Sequence, residues 1–345
     1  MKISFQSYQL KFKTPGGTSR GILTEKETFL IKLKTGDDND PEFFGECGLF
    51  RGLSADDNPE YEEKLNWVCQ YFFEMEQDQL WEELREFPSI QFGVEQIFQA
   101  QKNYDKNSHD DFNPILFPSD FTAGKEGITT NGLIWMGSSE FMRRQIIEKL
   151  NQNFHCIKIK IGTDWEEEKN ILKNLRKEFS EDELALRVDA NGAFTFDKAK
   201  MVLEELAGLR IHSIEQPIKA GNAEQMAELC GTTPTPIALD EELIGIFYPE
   251  HKQKLLQSIR PQYIILKPSL VGGWKGSEEW INFAEQQNTG WWITSALESN
   301  IGLNAIAQWT YTLNNKMPQG LGTGGLFENN FYSRLKLKGE KLYFV

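Results

Sequence analysis

Residues 156–162 read CIKIKIG, an apolar run interrupted by two lysines. In a strand, alternate side chains share a face. Ile157, Ile159 and Ile161 therefore point one way, and Lys158 and Lys160 the other. The isoleucines suit a core. The lysines need surroundings that accept two cations in a row, and the rest of the chain must supply the balancing charge.

Working outward, short apolar runs alternate with helical periodicity from Thr130 onward. The runs are GLIWMG (132–137), CIKIKIG, LALRVDA (184–190), IHSIEQPI (211–218), PIALDEEL (236–243), YIILKPS (263–269) and GWWITSA (290–296). The helix after CIKIKIG shows the pattern well. Asp164 is placed to cap it, with Glu167 three residues on as a capping-box partner. Ile171, Leu172, Leu175 and Phe179 then form one apolar stripe. Strand–helix alternation implies a parallel sheet covered by helices. Seven or eight repeats favour closure into an α/β (β/α)8-type barrel.

The N-terminal part follows a different pattern. SYQLKF (7–12) and ETFLIKLKT (27–35) alternate with period two around the Gly-rich TPGGTSRG (14–21). Residues 60–104 carry helical spacing, and DKNSHDDFNP (105–114) reads as a linker. The expected organisation is an N-terminal α+β capping domain over 1–120 and a barrel over 121–324. The strand-like end of the chain, about 325–345, is expected to complete the first domain.

Composition excludes several classes. A net charge of −14 over 345 residues gives no basic footprint for nucleic acid and no polybasic patch for a membrane. No run approaches membrane-spanning length, and the N-terminus has no signal-peptide core. The cysteines 47, 69, 156 and 230 form no Cys-x-x-Cys pair, which fits a reduced, cytoplasmic protein. The histidines 109, 155, 212 and 251 show no metal-ligand spacing. Gly272-Gly273 at a helix start offers a place to cradle a phosphate.

Catalytic groups of such barrels sit at the C-terminal strand ends. Here those ends are Lys160, Asp189, Glu215, Asp240 and Lys267, at intervals of 29, 26, 25 and 27 residues. Taken singly, each has a plainer reading: a solvated edge, a turn or a helix start. Together they deliver five charges, one per βα unit, to one rim. Three converging carboxylates repel one another, and a divalent cation resolves the repulsion. All-oxygen ligands select a hard ion, Mg2+ or else Mn2+. A lysine acts as a base only when neutral, far from its ordinary pKa of about 10.4. Lys158 and the cation both work to lower that of Lys160.

This set of motifs resembles the enolase superfamily, in its muconate-lactonizing subgroup. The matching pieces are Lys158-Ile-Lys160, Arg187-Val-Asp189-Ala-Asn191-Gly192, Ile214-Glu215-Gln216-Pro217, Leu239-Asp240-Glu241 and Leu266-Lys267-Pro268. They extend over nearly the whole chain, and they specify the subgroup more sharply than the substrate. GECGLFRGLS (45–54), TNGLIWMG (130–137) and TSALESNIGL (294–303) look most like the o-succinylbenzoate synthase branch. Relatives carry Asp-Glu-Ser after the fifth strand, where this chain has Glu242 as the third residue.

The resemblance implies a small-molecule carboxylate substrate and a Mg2+-dependent syn-dehydration in menaquinone biosynthesis. Asp189, Glu215 and Asp240 would be ligands, Lys160 the base, and Lys267 a cation on the opposite face. Lys158 would tune Lys160. Asn191, Ser295 and the backbone at 322–324, Gly322 first, would meet the substrate, under a lid at 14–21. N-acylamino-acid racemisation or dipeptide epimerisation uses the same machinery and stays open. So do a Schiff-base barrel lyase or aldolase and a non-catalytic barrel. Oligomeric state is not legible.

Overall fold

A computed structural model describes residues 1–18, 21–36, 40–106 and 110–345. Ser19 and Arg20 of the expected lid, and His109, lie outside the described residues.

The N-terminal sheet is antiparallel, with β1 (Lys2–Thr18), β2 (Gly21–Lys34) and β3 (Glu42–Cys47) in that order. The stretch expected to be a loop between β1 and β2 extends both strands. A register shift between Lys11 and Gly16 is followed by renewed pairing of Gly16, Gly17 and Thr18 with Leu23, Ile22 and Gly21. Gly17 permits this by bridging flat against Met136, where a Cβ would overlap that residue's backbone carbonyl. The hairpin end therefore leans on the start of the barrel. On β2, Phe29, Ile31 and Leu33 share one face and are fully buried. They join one apolar core with helices Tyr61–Tyr71, Gln77–Glu83 and Pro88–Lys102. The short helix Gln77–Glu83 lies between the two longer ones; its seven residues are too few to show a stripe.

After β4 (Ile128–Thr129), seven parallel strands follow in sequence order. They are β5 (Gly132–Ile134), β6 (Cys156–Lys160), β7 (Ala185–Asp189), β8 (Ser213–Glu215), β9 (Ile237–Leu239), β10 (Tyr263–Leu266) and β11 (Gly290–Ile293). Residues 319 and 320 complete the circle. Gln319 bridges Thr130 and Gly320 bridges Thr294, both parallel. The bonds are Gln319 N to Thr129 O (2.9 Å) and Gly320 N to Ile293 O (2.8 Å). This short segment is the eighth stave, so the barrel expectation holds. Both faces of β6 are buried: the isoleucines lie under the helices, while Lys158 and Lys160 line the barrel interior.

Two local expectations need correction. Asp164 does cap helix Trp165–Glu178, accepting from Glu167 N, but Glu168 rather than Glu167 reaches back. The Glu168 carboxylate accepts from the backbone N–H groups of Gly162, Thr163 and Asp164, whereas Glu167 bonds Ser139. The Gly272-Gly273 cradle holds an internal carboxyl group instead of a phosphate. Buried Glu95 accepts there from Trp274 N (2.8 Å) and Lys275 N (3.1 Å). The C-terminal hairpin, β12 (Leu335–Lys338) and β13 (Lys341–Phe344), pairs with β4. The chain meets β1 earlier, where Lys13 N bonds Leu326 O and Glu328 N bonds Lys11 O.

All four cysteines are free. Among the described residues, no helix is long and apolar enough to cross a membrane.

Candidate active site

Parallel register brings the charged strand ends together. Lys160 stands opposite Asp189, and Asp189 opposite Glu215. Asp240 and Lys267 directly follow β9 and β10. Because the strands are ordered β6 to β10, the three acids lie between the two terminal lysines. A period of two puts Lys158 on the face of Lys160, one layer deeper.

The six side chains form a continuous ladder of alternating charge. Lys160 Nζ donates to Asp189 Oδ2 (2.8 Å) and to Asn191 Oδ1 (2.7 Å). Lys158 Nζ donates to Glu215 Oε2 (2.7 Å) and lies 3.3 Å from Asp189 Oδ2. Lys267 Nζ donates to Asp240 Oδ2 and lies 3.9 Å from Glu215 Oε1. All six side chains are at most 12 % exposed.

Burial raises the Glu215 carboxyl, and the charge of Asp189 raises it further, to about 7. Burial also works to raise Asp189, but the ammoniums of Lys160 and Lys158 outweigh it and hold that carboxyl far below the usual range. Burial raises Asp240 against the opposing charge of Lys267. For Lys158, burial works against the charge, yet Glu215 and Asp189 hold the ammonium above its ordinary value. Asp240 and Glu215 do the same for Lys267.

Among the described residues, no three Asp, Glu, His or Cys side chains already converge as a metal cage. The three carboxylates are turned toward lysines instead. Their chemistry nonetheless suits a hard divalent cation, because every donor is oxygen. Buried Glu215 Oε1 has no hydrogen-bond partner, and its carboxyl is short of positive charge. A cation beside this acid would meet both needs.

The ladder forms part of the wall of a cavity of about 240 Å³. Lys158, Lys160, Asp189 and Lys267, with the amide of Asn191, provide its polar wall; Leu23, Phe50, Trp135, Leu297 and Leu326 provide apolar walls. Ser295 and Gly322 also line it. Ser295 Oγ shares a 2.7 Å hydrogen bond with Thr323 Oγ1 and accepts from Leu297 N. All three residues expected to contact substrate therefore border the cavity, although Asn191 is already engaged with Lys160 and with Glu241 Oε1 (3.0 Å).

Sequence reasoning left Glu241 and Glu242 without roles. Glu242 accepts from Gln216 Nε2 (3.0 Å) and Gly221 N (2.9 Å), and Gln216 Oε1 accepts from the backbone N–H groups of Asp240 and Glu242. This lattice fixes the turns that carry Glu215 and Asp240. Gln216 holds φ +41°, a conformation unusual outside glycine. Wall residues Asn131 and Thr294 were also missed. Asn131 Oδ1 and Thr294 Oγ1 are buried without hydrogen-bond partners. Asn131 immediately precedes β5 and Thr294 immediately follows β11.

Residues 142–336 match the family model described as enolase C-terminal domain-like. The chain is 40% identical to the o-succinylbenzoate synthase of Desulfotalea psychrophila, over 98% of each chain. It superposes on the crystal structure of MenC from Desulfotalea psychrophila LSv54 with TM-score 0.84 and 38% identity, over 99% of each. A dipeptide epimerase from Enterococcus faecalis V583 superposes with TM-score 0.83 at 18% identity, covering 100% of this chain and 96% of that one; this likeness is one of fold.

Proposed function

The chain belongs to the enolase superfamily, and from that membership we propose that it works as an o-succinylbenzoate synthase. The reaction is syn-dehydration of 2-succinyl-6-hydroxy-2,4-cyclohexadiene-1-carboxylate to 2-succinylbenzoate. One observation carries the chemistry: Lys160 at the end of β6 and Lys267 just after β10 flank three buried carboxylates, and both lysines line one cavity together with Asp189.

Asp189, Glu215 and Asp240 would hold Mg2+, or Mn2+ with the same donors, and that ion supplies Lewis-acid stabilisation of negative charge on the substrate carboxylate. Lys160 takes the proton alpha to the ring carboxylate. To do so it must be neutral and out of its contact with Asp189, while Asn191 Oδ1 keeps it aimed. The same ammonium then protonates the departing hydroxyl on the same face. The C–H electron pair becomes the new ring double bond, water leaves, and the ring is aromatic. Lys267, across the site, stays charged and stabilises the developing anion. Lys158, one layer below, balances Glu215 and Asp189. The apolar walls suit a carbocyclic ring and exclude water.

The test is direct assay of the dehydration. Aromatic product must form, activity must fall in EDTA and return with Mg2+, and borohydride must trap nothing. Lys267 is also placed to serve an epimerase as its second base. Faster solvent-deuterium exchange into N-succinyl amino acids or Ala-Glu, with no dehydration, would favour that reading.

A further inference from the structure

On β2, the face opposite Phe29 and Ile31 carries Lys26, Thr28 and Leu30, all buried. Next to it β3 presents Glu46, opposite Leu30 in the register. The Glu46 carboxylate accepts from Thr28 Oγ1 (2.8 Å), Ser299 N (2.8 Å), Ser299 Oγ and Gly302 N (2.9 Å). An acid of the N-terminal sheet thus caps helix Asn300–Thr312, which follows β11. Beside it, fully buried Glu298 accepts from Ser269 Oγ, two residues beyond Lys267.

In this interface the buried Lys26 Nζ and Glu298 Oε2 both lack a hydrogen-bond partner among the described residues. Lys26 is only 6 % exposed. Burial works against its charge, and Glu298 and then Glu46 oppose that effect. Lys26 Nζ is therefore buried without a hydrogen bond, and the charges of Glu298 and Glu46, on other elements, favour its ammonium form. The neighbouring segment 294–297 lines the active-site cavity, as does Phe50, whose ring centroid lies 5.8 Å from Lys26 Nζ.

We propose that Lys26 is a positioning residue for the reaction: its charge holds Glu298 and Glu46, and through them sets segment 294–299 as a wall of the substrate cavity. Its effect on substrate rests on the dehydration reading; its effect on the segment does not. The sequence concealed it, because a lysine in an alternating strand looks like any solvent-facing residue.

The test compares Lys26→Met, Glu298→Gln and the double variant by steady-state kinetics and by amide hydrogen exchange without substrate. Lys26→Met should raise KM about tenfold, leave kcat within threefold, and speed exchange of amides 295–302 at least tenfold. Removing one member of a buried pair leaves a stranded charge, so removing both should repair the defect. The double variant should return KM and exchange to within threefold of the parent. Folded Lys26→Met with unchanged KM and exchange overturns the proposal, as does a double variant whose defects multiply. If Lys26→Met does not fold, Glu298→Gln is read alone on the same scales, and unchanged values again overturn it. Should the parent fail to dehydrate the cyclohexadiene, exchange still decides the role of Lys26.

Discussion

Replacing Lys160 with methionine separates the proposed dehydration from its rivals. The change removes the ammonium but keeps most of the chain that fills the cavity wall. The fold should tolerate it, since Asp189 keeps Lys158 at 3.3 Å and the Asn191 N–H at 3.1 Å. Positioned acid–base groups contribute roughly 10²- to 10⁴-fold. Lys160 is assigned both proton transfers, so kcat should fall by at least about 10⁴, or about 5.4 kcal/mol of barrier. KM should move only severalfold, because the removed interaction belongs to the transition state. Lys267→Met loses electrostatic stabilisation alone and should cost about 10²- to 10³-fold. Initial rates are read from appearance of the aromatic product at saturating Mg2+, with melting curves to confirm folding. In an epimerase the two lysines are equivalent bases, and both losses should be equally severe. A Lys160→Met variant that keeps more than about a hundredth of the parental kcat refutes the assignment, as does Lys267→Met proving the more damaging.

Chelation with EDTA should abolish turnover, and Mg2+ or Mn2+ should restore it; full activity in EDTA would remove the hard cation from the mechanism. His212 stacks on Tyr263 at 5.2 Å, and burial, aided by the Arg187 charge, lowers its pKa from 6.5 to about 4. Between these values the unfolded chain binds more protons, so this contribution is complete above pH 6.5 and lost as pH falls toward 4, by at most about 3 kcal/mol. Urea denaturation at pH 7 and pH 5 should therefore show a smaller drop for His212→Phe than for the parent; equal drops would contradict the sign. Gly273→Ala should lower the urea midpoint by the equivalent of more than about 2 kcal/mol. There φ is +71°, and the new methyl would overlap the Glu95 carboxylate. An unchanged midpoint would show that Glu95 can move aside.

The charged rim was legible because one βα unit has a nearly constant length. A parallel sheet delivers each strand end to the same edge, so regular spacing in the chain becomes proximity in space. Lys160, Asp189, Glu215, Asp240 and Lys267 could be found that way, and Lys158 followed from the strand period. The eighth stave was not legible. Gln319 and Gly320 are too short a stretch to show periodicity, and their partners, Thr130 and Thr294, lie far away in the sequence. The glycine pair at 272–273 was legible as an anion site, but not its occupant. Glu95 lies 179 residues from Trp274 and looks like any helical acid.

What the sequence determined by itself was the α/β barrel class, the all-oxygen acid set and the two flanking amines, since these follow from local periods and fixed repeat lengths. What only tertiary structure decided was who faces whom: Glu46 capping a helix 253 residues away, Lys26 sunk beside Glu298, and Glu242 tied to Gln216. Local pattern reports that a side chain points inward. Which partner it finds there depends on how segments distant in the chain pack together, and nothing in the residue's own neighbourhood encodes that contact.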